Sequence, residues 1–191
     1  MEHTADLRSF GRYASLNVLG MLGLSCYILA DTFFVSCGMG ANGLAALNIA
    51  IPAYNLLNGL GLMIGVGGAT RYTVSCAQCD NISADRAFTH AVGLGLAVGL
   101  LFMLIGLAGA APVSRLLGAD ADTFPLTSVY LRTLLSFAPF FVMNNVLLAF
   151  VRNDGAPGRA MCGMIVGSLS NVVLDYVFIF PCDWGMFGAA F

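Results

Sequence analysis

The sequence contains no lysine, so eight arginines carry all of its fixed positive charge. Charged residues of both signs fill 9% of its 191 positions, where a soluble domain has about 25%. So few charges cannot cover the surface of a water-soluble globule of this length. With a formal net charge of −2 there is no basic patch for a phosphate backbone, which excludes nucleic acid as a partner. Strand-like alternation of apolar and polar residues is missing as well. What is present is apolar: 59% of residues are hydrophobic and the mean hydropathy is +0.86. Disorder is thereby excluded. The composition describes an integral membrane protein, with the lipid bilayer as its solvent.

A helix needs about 20 apolar residues to cross a hydrocarbon core of roughly 30 Å. Five stretches qualify, at about 13–35, 44–70, 91–111, 128–151 and 161–180, and a sixth begins at 184–191. The expected fold is an all-α, polytopic helix bundle, with 1–191 forming one transmembrane domain. Because the sequence stops inside an apolar segment, it reads as part of a longer protein. Connections are short and rich in turn residues, as at Gly38–Gly43 and Pro181–Asp183. Only Gln78–His90 has the length of a real loop.

Arginines set the orientation. Arg8 and Arg12 precede the first span, Arg71 and Arg86 lie between the second and third, and Arg152 and Arg159 between the fourth and fifth. Arg115 and Arg132 alone fall toward the other side. A multi-pass protein of the cell membrane with a cytoplasmic amino terminus is expected. A signal peptide fits poorly, since Glu2 and Asp6 spoil a basic leader and the apolar run is too long. The cysteines at 26, 37, 76, 79, 162 and 182 form no disulfide framework and read as incidental, buried thiols. Cys76 and Cys79 lack the second pair that a zinc site needs.

The informative residues are polar ones within apolar runs. Asp31 lies near the far end of span one, and Asp175 two-thirds along span five. An ionised carboxylate at mid-bilayer costs about 2.5–3.5 kcal/mol on the insertion scale, so such residues face a protein or water-filled interior. Asn171 precedes Asp175 by four residues and follows Ser168 by three, so all three share one helix face. An amide oxygen beside a carboxylate suits a small hard cation, or accompanies a protonated acid. Spans one and five run in the same direction, which sets Asp31 and Asp175 at similar depth. Facing each other in low dielectric, the two carboxylates could not both stay ionised cheaply, so the pair would gain and lose a proton as a unit. Span two carries Asn48, Asn55 and Asn58 with Pro52 and Tyr54. Asn48, Asn55 and Tyr54 either line a substrate cavity or bond across helices. Span four carries Asn144 and Asn145 after Pro139, a residue that permits bending. Glycine pairs at 61/65, 95/99 and 163/167 permit close helix contact.

At Ala30–Val35, Gly43–Asn48, Arg152–Pro157 and Ser170–Asp175 the sequence resembles the multidrug and toxic-compound extrusion (MATE) family, and the similarity extends over essentially the whole chain. The resemblance implies the amino-terminal lobe of a fold with two six-helix bundles related by a pseudo-two-fold axis. It implies a transporter rather than an enzyme, exporting cationic, amphipathic drugs in exchange for H⁺ or Na⁺, with no cofactor. Asp31, Asn171 and Asp175 would then form the ion or proton site, with Asn145 as a further contributor. No metal other than Na⁺ is implied. A further ligand is expected from span six, beyond this sequence. The carboxy-terminal six-helix half is missing, and these residues would build half of the drug cavity.

Three other functions compete. A lipid-linked oligosaccharide flippase of the same superfamily would need an arginine-lined cavity for pyrophosphate, and the spans hold only Arg132. An aspartyl protease would use two carboxylates as acid and base. Neither aspartate has the glycine-flanked context of the intramembrane enzymes, since Asp175 follows Val-Val-Leu and Asp31 follows Ile-Leu-Ala. A non-functional transporter fragment or scaffold is the third.

Overall fold

The computed structural model describes residues 2–155, 157–182 and 184–190. Side chains are described from residue 28 onward, Pro157 excepted, and at scattered positions before it. The side chains of Arg8 and Arg12 and the last residue of the sixth expected helix, Phe191, lie outside the described residues. Six helices follow in order: α1 (Glu2–Ala77), α2 (Asn81–Leu116), α3 (Phe124–Ser136), α4 (Ala138–Asn153), α5 (Pro157–Ile179) and α6 (Gly185–Ala190). No strand occurs among the described residues.

Helix α1 is 76 residues long but is broken at Gly40, whose φ of 67° and ψ of −158° are non-helical. Only glycine takes such a conformation without strain. A Cβ placed on Gly43 would lie 3.6 Å from Val35 Cγ1 and 2.5 Å from Met39 Cβ. On a straight helix, residues eight apart are separated by about 12 Å along the axis. Val35 also shares one buried cluster with Ala46 and Leu47. The chain therefore bends sharply at Gly40, and α1 consists of two arms, 2–39 and 41–77. The glycine-rich turn expected at 38–43 is this bend.

By length and apolarity, Ile28–Ala77, Asn81–Leu116 and Gly158–Ile179 can each cross a membrane. The α3–α4 pair makes a fourth crossing, bent by 50°. The bend falls at Phe137, two residues before Pro139, whose missing N–H and ring oppose a continuous helix. Among the described residues three helices, or four with that bent pair as one span, are long and apolar enough to cross, and Gly40 divides the first of them. Val166, Leu169 and Val173 of α5 and Leu101 and Leu104 of α2 are all exposed, a surface suited to lipid.

The expected loop at Gln78–His90 is mostly helix. Asp80 caps α2 by accepting the Ser83 N–H at 3.0 Å, so the chain re-enters a helix at Asn81. Apolarity marks the membrane-embedded part of a helix and is blind to its polar extension.

The main core joins the second arm of α1 to α2 and α4, around Leu57, Ile64, Ala91, Val142, Val146 and Phe150. Glycines let these backbones approach. A Cβ at Gly65 would meet Val146 Cα at 3.0 Å, and one at Gly99 would meet Pro139 Cα at 2.5 Å. Gly61 and Gly95 also abut α4, but Gly163 and Gly167 face open space. The third small-residue pair thus makes no helix contact within the described residues. The six cysteines are free, as expected, yet all are exposed rather than buried. The tight contacts are made by glycine and alanine, leaving the thiols on outward faces.

Candidate functional site

Asp31 stands on the first arm of α1, one turn below Val35; Asp175 stands on α5, one turn below Ile179. Phe34 joins the two helices, its ring 6.0 Å from those of both Tyr176 and Phe180. Four residues on, a Cβ at Gly38 would meet Ile179 Cγ2 at 2.6 Å. Phe34 and Gly38 thus both pack on residues 176–180, at the end of α5, which sets the first arm of α1 beside α5 near Asp31 and Asp175.

Asp175 is 3% exposed, and Asp31 and Asn171 are half-buried. Asp31 Oδ1, Asn171 Oδ1 and Asp175 Oδ2 are shut off from solvent and have no hydrogen-bond partner among the described residues. Buried polar atoms are nearly always paired, because an unpaired one forfeits its hydration without compensation. Three unpaired oxygens on two adjoining helices have one chemical complement, a proton or a small hard cation. Among the described residues no three His, Cys, Asp or Glu side chains gather. The donor set is two carboxylates and an amide oxygen.

Beyond the aspartates the seam is filled by apolar side chains. Val35 and Ile179, each four residues beyond an aspartate and thus on its helix face, are 0% and 4% exposed. They pack with Ala46, Leu47 and Met186 into an apolar plug, flanked by Leu126 and Tyr130 of α3.

Asn145 has partners of its own. Its Nδ2 donates to Asn58 Oδ1 at 3.0 Å and to the Phe141 carbonyl at 3.1 Å, clasping α4 to the second arm of α1. These bonds do not involve the aspartates. Asn48 and Asn55 are exposed, while Tyr54 packs edge-on against Phe141 with centroids 6.3 Å apart. Asp31, Asn171 and Asp175 thus share the unpartnered, buried oxygens, while Asn145 and Tyr54 have the partners just named and Asn48 and Asn55 are exposed. Asn58, named among the span-two amides in the sequence, is one that bonds across helices. Sequence reasoning misses Thr127. Its Oγ1 is buried without a hydrogen-bond partner among the described residues, and no spacing rule marks it.

The sequence pattern of the MatE family matches residues 18–177. The chain belongs to the MatE family. MepA of Staphylococcus aureus strain MRSA252, a multidrug export protein, is 30% identical over 173 residues, 91% of this chain and 38% of that one. A solved outward-facing multidrug resistance MATE transporter of the MOP superfamily is 32% identical with a TM-score of 0.86, over 94% of this chain and 40% of its own. A MOP superfamily transporter from Pyrococcus furiosus Vc1, whose reversed pocket polarity suggests a different function for it, has the same identity and TM-score over 94% and 39%. The chain spans about 38% of the curated relatives it matches. As a MatE family member it is a multi-pass membrane protein, and its similarity to these transporters lies within one portion of their length.

Proposed function

We propose that the whole protein is a multidrug efflux antiporter of the cell membrane, with its amino terminus in the cytoplasm. It exports cationic, amphipathic compounds in exchange for H⁺ or Na⁺. Three buried, unpartnered oxygens on Asp31, Asn171 and Asp175 carry this reading. The multidrug export assigned to MepA and the MATE structures supports the substrate class.

The proposed cycle is electrostatic. With the carboxylates ionised, the lobe attracts a cationic drug. A proton or Na⁺ entering the pocket cancels that attraction and lets the drug leave. A bound ion shifts the conformational balance only by its differential affinity for the two states. The Val35–Ile179 plug, one turn from the acids, supplies the element that differs. With the plug packed the seam beyond the aspartates is filled, and rebending of the first arm at Gly40 would part it.

The test is dye efflux from proteoliposomes of the whole protein under an imposed H⁺ or Na⁺ gradient. Asp31→Asn should abolish gradient-driven efflux with normal production of the protein. Efflux at the wild-type rate in that variant would refute the coupling role.

A further inference from the structure

A second concave site lies away from the aspartates, between the second arm of α1 and the first half of α2. It is a cleft of about 580 Å³, walled by Met63, Ile64, Gly67 and Gly68 on one side and Ala87, Ala91 and Leu94 on the other. Arg71, Arg86, Ser83 and His90 line it as well.

The polar and apolar linings are segregated along the helices. Arg71 follows the apolar run of the second arm, and Arg86 precedes the apolar run of α2, so both guanidiniums sit near one end of the two crossings. Met63 and Leu94, 65% and 55% exposed, lie two to three turns deeper. Among the described residues neither arginine forms a salt bridge. Asp80, the acid on which Arg86 acts, has its carboxylate committed to Ser83, whose bonds hold it below the usual carboxyl range. His90 is turned away at one nitrogen, with Nδ1 2.6 Å from the Arg86 carbonyl oxygen. Two unpaired cations at the rim of an apolar cleft match one molecular shape, an anionic head on a hydrocarbon tail.

We propose that this cleft binds an anionic phospholipid, with the phosphate at Arg71 and Arg86 and an acyl chain along Met63, Ile64 and Leu94. A free phosphate would satisfy the guanidiniums yet leave the deeper apolar walls uncovered. The lipid satisfies both. Its effect would be to staple the second arm to α2, which are otherwise joined here across Gly68 and Ala91.

The full chain in phosphatidylcholine nanodiscs, probed with spin-labelled phosphatidylglycerol or spin-labelled phosphatidylcholine, tests this. The motionally restricted fraction should favour phosphatidylglycerol by about 25-fold, roughly fivefold for each arginine. Arg71→Gln and Arg86→Gln should each lower the preference about fivefold. Gly67→Leu should abolish it with both charges intact, since a side chain there enters the cleft and meets no protein atom within 4 Å at its Cβ. Arg152→Gln, on an exposed residue outside the cleft, should leave the preference unchanged. Millimolar inorganic phosphate should fail to displace the lipid. Equal retention of both lipids overturns the proposal, as does a preference that survives Gly67→Leu in a chain of unchanged helicity. So does an equal loss in Arg152→Gln, which would reduce the effect to surface charge. Displacement by phosphate would make the site one for a free anion.

Discussion

A carboxylate oxygen removed from water needs either a donor or a cation, and Asp175 Oδ2 has no hydrogen-bond partner among the described residues. Replacing that group by an amide removes the unmet charge and keeps the shape. Asp175→Asn should therefore leave thermal stability in detergent equal or higher while eliminating ion binding. A fall in melting temperature comparable to loss of a core side chain would mean that the acid is structural. The Asn58–Asn145 clasp predicts the opposite pattern. Asn58→Ala should cost about 0.6 kcal/mol, and at most about 1.7, with ion binding preserved. Outside the membrane, Asp120 accepts from the Thr123 amide at 3.0 Å and its hydroxyl at 2.7 Å. The Thr123 side-chain bond is the chief cause that lowers the Asp120 carboxyl from its ordinary value of 3.8. A depressed folded value means that the turn is fully supported above pH 3.8 and loses support as pH falls through the lower one. Amide exchange at 120–124 should accelerate on that acid side, and Asp120→Ala should remove the dependence. At this scale the acids were legible, because an aspartate inside an apolar run has few other reasons to be there. The partner of Asn145 was not, since it lies 87 residues away in sequence. Amides in spans announce that they bond without saying to what.

Helices in this chain meet where glycine removes a side chain, and the consequences differ by face. At Gly99 an added Cβ would collide with the Pro139 backbone, whereas Gly163 has open space. Gly99→Val should lower stability by about 1–3 kcal/mol. Gly163→Ala should be neutral or stabilising by up to about 1 kcal/mol, the difference in helix propensity. Thermal or denaturant unfolding of the two variants in one detergent checks the contrast. The glycine pairs were visible in sequence, but periodicity gives only their spacing and leaves open which face has a neighbour. Helix ends were hidden for a related reason. Residues 81–90 are polar enough to resemble a loop, and one cap at Asp80 makes them helix. The bend at Gly40 was legible, because Gly38, Gly40 and Gly43 cluster between two apolar runs.

The whole molecule has an asymmetric interior. A packed core joins α2 and α4 to the second arm of α1, while the acids lie at the seam of the first arm with α5. That division gives a firm scaffold and a seam whose plug lies beside the Gly40 bend. If the seam parts at the plug, a bulkier residue at Gly38 should disturb it first. Gly38→Leu would press on Ile179, and solvent labelling of a cysteine placed at Val35 should then increase. In the proposed cycle, charge neutralisation and helix bending would be adjacent events. Its central claim is that Asp31 and Asp175 share one cation pocket. Difference infrared spectroscopy of the protonated carboxyl band over a pH series, with and without Na⁺, tests this most directly. The account predicts that Asp31→Asn changes the titration of Asp175, that Asp175→Asn changes that of Asp31, and that each also alters the response to Na⁺. Two carboxyls that titrate independently, each unchanged by loss of the other, would contradict it.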